Sequence, residues 1–211
     1  MNKKRSSSWQ WIVGSCIIIA MAVVSIKLEA GLAARTKLPE GESWKLALGL
    51  VREVIREEIQ CPPVGDMTKV VYEDTYLDER AYGGDRDHYG TDLIALDNRP
   101  GNLKIQSMTY GTITRLGWNE LGGWRVGVTS PSGIYYYYAH LESYAKNLSE
   151  GMTVVPGTLL GYMGDSGYGP EGTTGKFVTH LHLGIQVYPE SGDAGWTNPY
   201  TFLTGLHAIV N

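Results

Sequence analysis

Sulfur chemistry is nearly absent from this sequence. Its 211 residues include two cysteines, Cys16 inside an apolar run and Cys61 outside it, a placement that argues against an intrachain disulfide. No Cys-x-x-Cys occurs, so a thiolate zinc site is excluded and any bound metal must rest on His, Asp or Glu. His-Glu-x-x-His and Gly-x-Ser-x-Gly are missing too, which removes helix-based zincins and nucleophile-elbow hydrolases. Gly164-Asp165-Ser166-Gly167 and Tyr138-Ala139-His140 mimic serine-peptidase segments. Only 26 residues separate His140 from Ser166, however, too few to build two barrels between them. Phenylalanine is scarce, 2 residues against 14 tyrosines, while glycine reaches 27; this usage suits a turn-rich, mostly β domain. Basic charge is short where a polyanion would need it. Residues 61–211 carry 9 Lys+Arg against 16 Asp+Glu, a balance of −7, and residues 1–60 carry 9 against 6, a balance of +3. Nucleic acid is therefore set aside as a partner. No internal repeat or low-complexity linker is present.

What remains divides the chain into three parts. Lys3, Lys4 and Arg5 precede an uncharged, largely apolar run from Trp9 to Ile26. Those 18 residues would span about 27 Å as a helix, close to a hydrocarbon core of ~30 Å. Lys27 can snorkel at the far end, and Trp9 and Trp11 stand where an aromatic belt forms. A cleaved signal peptide would have an apolar core of only about 7–15 residues. We read residues 1–27 as a cytoplasmic tip and single-pass transmembrane anchor in a cell membrane, with residues 28–211 extracytoplasmic. Residues 28–60 form a linker and an amphipathic helix from Ser43 to Gln60. Ser43 caps that helix, Leu46, Leu50, Val54, Ile55 and Ile59 make its apolar stripe, and Pro62 and Pro63 end it. It packs on the domain, acts as a stalk, or pairs with a protein partner through residues 43–60.

Residues 61–211 read as one mainly β, antiparallel domain. Strand candidates are Lys69–Tyr72, Asp92–Ala95, Gly111–Arg115, Trp124–Thr129, Ile134–His140, Thr158–Met163 and His180–Val187, with a hairpin turn at Ser130-Pro131-Ser132-Gly133. In the last candidate, His180 and His182 leave the same face roughly 6.5–7 Å apart. That is too far for one hydrogen bond, yet near enough for both rings to border one site. Asp87-His88-Tyr89-Gly90-Thr91-Asp92 places a histidine and a carboxylate four apart across a glycine-broken bend. Joined to His182, His88 and Asp92 make a His₂Asp set with a fourth tetrahedral position open, the pattern of catalytic rather than structural zinc. Tyr136-Tyr137-Tyr138-Ala139-His140-Leu141 ends a strand on a histidine, and Tyr138 shares its face as a packing aromatic. Of the 5 histidines only His207, in the C-terminal tail, stands apart, and it reads as a surface residue.

The ordered motifs His-x-Gly-x-Asp, Tyr-Ala-His-Leu and His-Leu-His-x-x-Ile resemble the lysostaphin/LytM-type zinc metallopeptidases, which cut peptide bonds in peptidoglycan. The likeness covers roughly residues 80–203, including Gly151-Met152-Thr153-Val154, Pro156–Gly161 and the closing Asn198-Pro199-Tyr200 with Phe202-Leu203. It implies a fold of the duplicated hybrid motif type with a metal-containing groove, Zn²⁺ as cofactor, and peptidoglycan as substrate. It implies His88, Asp92 and His182 as zinc ligands. His140 and His180 then serve catalysis, sharing base and acid in either order, or one of them stabilising the oxyanion. Tyr82, six residues before His88, matches a position where some relatives place a tyrosine that helps hold the intermediate. The stretches Leu116–Gly123 and Asp165–Lys176 correspond to loops that wall the groove. A scaffold or activator of the same fold, silent in catalysis and acting in division or sporulation, is the alternative; retention of every motif histidine favours the enzyme.

Overall fold

The computed structural model describes residues 42–80, 82, 85–187 and 195–210. The apolar run from Trp9 to Ile26 lies outside them, and among the described residues no helix is long and apolar enough to cross a membrane. The chain separates into two compact units, Met1–Val51 and Arg52–Asn211. Helix α1 spans Glu42–Glu58, stopping two residues short of the expected Gln60. Within the second unit its last turns are docked. Ile55 is fully buried, and Glu58 accepts hydrogen bonds from the Tyr136 hydroxyl and the Ser132 N–H, both at 3.3 Å.

Twelve strands follow among the described residues: β1 (Val70–Val71), β2 (Glu79–Arg80), β3 (Arg86–Asp87), β4 (Thr91–Ala95), β5 (Lys104–Gln106), β6 (Gly111–Asn119), β7 (Gly123–Thr129), β8 (Tyr135–Tyr144), β9 (Thr153–Val154), β10 (Leu159–Met163), β11 (His180–Gln186) and β12 (Trp196–Thr197). Ten form one antiparallel sheet in the order β1-β4-β11-β8-β7-β6-β9, with β10 pairing β5 and β8, and β12 pairing β11. Strands β2 and β3 pair with each other. The expected turn at Ser130–Gly133 does join β7 to β8, closed by Ser130 N–H donating to the Ile134 carbonyl at 2.9 Å. The strands not anticipated, β2, β3, β5, β9 and β12, have two or three residues each, too few for a period of two to register.

The tail also holds structure. Helix α2 spans Tyr200–Val210 and includes His207. Asn198 caps it by accepting from the Tyr200 N–H at 3.0 Å, Pro199 occupies the first turn where its missing N–H costs nothing, and Phe202 and Leu203 are buried.

Alternation on β4 and β11 decides where chemistry can sit. Leu93 on β4 and Leu181, Leu183 and Ile185 on β11 are fully buried, each adding roughly 1.5–3 kcal/mol of apolar stabilisation. Their even-numbered neighbours Asp92, His180 and His182 consequently face the opposite side, into a cleft of about 550 Å³. A one-residue slip would put all of these on the wrong face, so the leucines specify the site as well as the core.

Candidate metal centre and catalytic cleft

Asp92 and His182 are direct partners in the antiparallel β4–β11 pair, which sets their side chains against each other. His88 reaches the same point from the bend that follows β3. The result is a tight triangle: His88 Nε2 lies 2.9 Å from His182 Nδ1, and both nitrogens lie 3.0 Å from Asp92 Oδ1. Among the described residues these three side chains form the one group able to hold a metal ion. Coordinates thus bring together the three residues that the motifs single out.

Proton counting tests whether the triangle suits a cation. In the tautomer that donates from His88 Nδ1 to the Thr75 carbonyl 2.8 Å away, Nε2 is a bare lone pair. Arg80 Nη2, 2.9 Å from the same Nδ1, therefore donates to Asp92 Oδ2, also at 2.9 Å, and secures the second carboxylate oxygen. Inside the triangle, Asp92 Oδ1 and His88 Nε2 bring no proton, and a proton on His182 Nδ1 could serve only one of them. Two lone pairs would face each other at van der Waals cost or worse, whereas a divalent cation would satisfy all three atoms. The donor set, two imidazoles and a carboxylate, is one that zinc accepts.

The electrostatics agree. Burial pushes the pKa of His182 and His180 below the ordinary imidazole value, against the pull of Asp92 in each case, and His140 is held well below it by burial and by the neighbouring histidines. Burial works to raise Asp92, but the adjoining His182 ring outweighs it and holds the carboxyl well below the usual range. All four groups are thus in the states that ligate or accept protons.

His140 and His180 stand beside the triangle with ring centroids 4.6 Å apart. Each has its Nδ1 proton committed to a backbone carbonyl, Ser166 for His140 and Val178 for His180, both at 2.8 Å. Each therefore keeps Nε2 free as a proton acceptor, on a ring that lines the cleft. His180 Nε2 is 3.8 Å from Asp92 Oδ1.

How β8 delivers His140 differs from the sequence reading. Tyr138 does not share its face: Tyr136 and Tyr138 enter the core, and the Tyr138 hydroxyl accepts from the Met108 N–H at 3.0 Å. Tyr135 and Tyr137 line the cleft instead. Parity breaks because His140 adopts φ +61°, and the register of β8 shifts against β7 between Tyr138 and Leu141, then against β10 between Leu141 and Ser143. This bulge turns one extra residue outward. Ser166 braces it. Its buried hydroxyl donates to the Leu141 carbonyl at 2.6 Å and accepts from the Trp124 N–H at 3.1 Å, while its carbonyl holds His140. The serine of Gly-Asp-Ser-Gly is thus a positioning residue, engaged through both its hydroxyl and its carbonyl.

Other contributors carried no sequence signal. Phe177 packs edge-on against both His140 and His180, at 4.6 and 4.9 Å between centroids, and shields the pair from water. The stretch Leu116–Gly123, expected as a loop, is instead the end of β6 and its turn into β7, and it holds the Asp165–Lys176 loop: Trp118 Nε1 donates to the Gly169 carbonyl at 3.2 Å, and Gly169 N–H donates to the Glu120 carbonyl at 3.1 Å. Tyr82 lies on the rim, 41% exposed, with its ring stacked on Tyr168 at 4.2 Å. Tyr168 in turn meets the His140 ring at 6.0 Å.

Gly90 explains the glycine in the first motif. A Cβ there would lie 2.4 Å from His182 Cε1 and 2.6 Å from the Leu183 carbonyl oxygen. Gly90→Ala is expected to push the His182 ring off the triangle and weaken divalent-ion binding about 10- to 100-fold, the range seen when a ligand loses its support. Competition with a chromogenic chelator measures this; unchanged affinity would mean that the ring position is not critical.

Comparison with known proteins places this geometry in context. The peptidase family M23 profile matches residues 86–194, which include all five residues of the cleft's His/Asp cluster. The L-Ala–D-Glu endopeptidase of Bacillus subtilis (strain 168) is 42% identical over 142 residues, 67% of this chain. The chain spans only 42% of the length of that curated relative. A crystal structure of lytM from Ruminococcus gnavus superposes with a TM-score of 0.62 at 40% identity, covering 86% of this chain and 79% of that one. The catalytic domain of lysostaphin from Staphylococcus simulans shares the fold, with a TM-score of 0.52 at 23% identity over 65% of this chain and 95% of that domain. With more than half of its length matched by the family profile and the His/Asp motifs folded onto one point, the chain belongs to peptidase family M23.

Proposed function

We propose that this protein is a zinc-dependent endopeptidase that hydrolyses the amide bond between L-alanine and D-glutamate in peptidoglycan stem peptides. One observation carries the reading: His88 Nε2, Asp92 Oδ1 and His182 Nδ1 converge within 3.0 Å, next to two further histidines with free Nε2 atoms. The choice of bond is supported by the Bacillus subtilis relative. The apolar run at Trp9–Ile26 extends the proposal to a single-pass anchor that holds the enzyme at the outer face of a bacterial membrane.

When bound by His88, Asp92 and His182, zinc would supply Lewis-acid polarisation of a carbonyl and of water. Arg80 fixes the carboxylate ligand by its other oxygen. The neutral imidazole of His140 or His180 takes a proton from the attacking water at Nε2, and that proton passes from the resulting imidazolium to the leaving amine, so amide and water become carboxylate and amine with both rings neutral again. Phe177 and the interlocked β6–β7 turn and Asp165–Lys176 loop keep bulk water from the pair.

Digestion of defined muropeptides by the full chain, with and without a chelator, tests this by mass spectrometry. Expected is a chelator-sensitive product with a free amine on glutamate and no new reducing sugar. Cleavage at a sugar linkage, or cleavage indifferent to the chelator, would overturn it.

A further inference from the structure

The cleft is more basic than the domain around it. Among the described residues it is lined by four arginines, Arg80, Arg86, Arg115 and Arg125, against two carboxylates, Asp87 and Asp92. Arg80 is committed to Asp92, and Arg86 donates to the Tyr82 carbonyl and the Tyr168 hydroxyl, each at 3.2 Å. The other two have no carboxylate within ion-pair reach among the described residues. Arg125 Nη1 is buried and has no hydrogen-bond partner among the described residues. A buried guanidinium N–H left unmade is costly, so a position that keeps one calls for an absent acceptor.

The β6–β7 hairpin gathers these cations. Arg115 pairs with Gly127 and Arg125 with Gly117, so the two arginines are diagonal neighbours facing glycines rather than side chains that could neutralise them. Gly127 also makes room for Tyr135: a Cβ there would lie 2.2 Å from the phenol oxygen. Arg115 and Arg125 both act electrostatically on the Tyr135 hydroxyl, and Arg125 and Arg86 on that of Tyr137. Burial raises the pKa of both phenols, so each remains an O–H donor. The guanidiniums and phenols offer donors, and Glu150, the carboxylate that also acts on the Tyr135 hydroxyl, accepts instead from the Leu116 N–H at 2.7 Å. The cluster's inner edge adjoins the metal triangle, the Tyr137 and His182 rings being 5.9 Å apart.

Two guanidiniums with phenolic donors suit a planar carboxylate. The proposed substrate supplies one, since glutamate has two carboxyl groups and only one can continue the stem. We propose that Arg125, with Arg115, Tyr135 and Tyr137, forms a carboxylate subsite that selects stems in which the glutamate beside the cleaved bond keeps its free carboxylate over stems in which it is a carboxamide. This inference rests on the alanine–glutamate reading of the cleavage site.

The test compares two synthetic stem peptides, identical but for carboxylate or carboxamide on that glutamate, with the full chain. The wild type is expected to favour the acid about 10- to 100-fold in kcat/KM, mostly through KM, as loss of a charge-assisted contact implies. Arg125→Gln is expected to bring that ratio close to one, with Arg125→Lys in between. Equal turnover of both peptides by the wild type, or an unchanged ratio in a folded Arg125→Gln, would overturn the subsite. If neither peptide is cleaved, the proposed activity fails, and calorimetric titration with the same pair judges the subsite alone. Tighter binding of the acid sustains it, and equal binding overturns it.

Discussion

His182→Ala is expected to yield a folded protein that neither retains zinc nor cleaves stem peptides. The substitution removes one corner of the triangle, the Nδ1 that lies 2.9 Å from His88 Nε2 and 3.0 Å from Asp92 Oδ1. Two ligands cannot hold the ion against solvent, and the polarisation lost with it is worth several kcal/mol. At 1.36 kcal/mol per decade, kcat/KM should fall at least ~10³-fold. The fold should survive because the imidazole projects from the sheet into the cleft, while the flanking Leu181 and Leu183 hold the core. A thermal shift separates the two effects. Zinc at about 100 times its dissociation constant should stabilise the wild type by about 2.7 kcal/mol, a gain that His182→Ala should not have. Stoichiometric zinc in the variant would remove His182 from the ligand set. A folded wild type that takes up no zinc would leave the scaffold reading in its place.

The triangle of His88, Asp92 and His182 was legible in the sequence because each corner depends on local rules. His182 and Asp92 sit on strands whose buried leucines fix which face they occupy, and Gly90 marks the bend that brings His88 to them. His140 was legible as a residue but not in its geometry. Strict alternation along Tyr136–His140 puts Tyr138 beside it, whereas the bulge sends Tyr138 to the core and Tyr137 to the cleft. Bulges arise from pairing with two neighbouring strands, so period counting on one strand cannot find them. Ser166 and Arg125 were opaque for a related reason. What each does depends on partners supplied by other strands: the Leu141 carbonyl and Trp124 N–H for Ser166, and the unfilled space beside Tyr135 and Tyr137 for Arg125. The helix at Tyr200–Val210 does have a local signal, since Asn198-Pro199 is a sound helix start with Asn198 accepting from the Tyr200 N–H.

The same bulge lets the chemical role of His140 be separated from its structural one. At φ +61° most side chains are strained by roughly 1–3 kcal/mol, and asparagine is among the few that enter this region readily. His140→Asn should therefore preserve the bulge and the β8 register while supplying no group able to take a proton at neutral pH. Its zinc content and KM are expected to match the wild type, and its melting temperature to stay within a few degrees. Its kcat should fall about 10²- to 10⁴-fold, the contribution of a positioned acid or base. His140→Val applies the opposite pressure: a β-branched residue at positive φ should force the backbone out of the bulge and release the Ser166 brace, lowering stability as well as rate. If His140→Asn and His140→Val lose stability equally, strain does not explain the bulge. If His140→Asn keeps more than a tenth of kcat, proton transfer belongs to His180 alone, whose Nε2 stands 3.8 Å from Asp92 Oδ1 and whose Nδ1 is anchored on the Val178 carbonyl in the same manner.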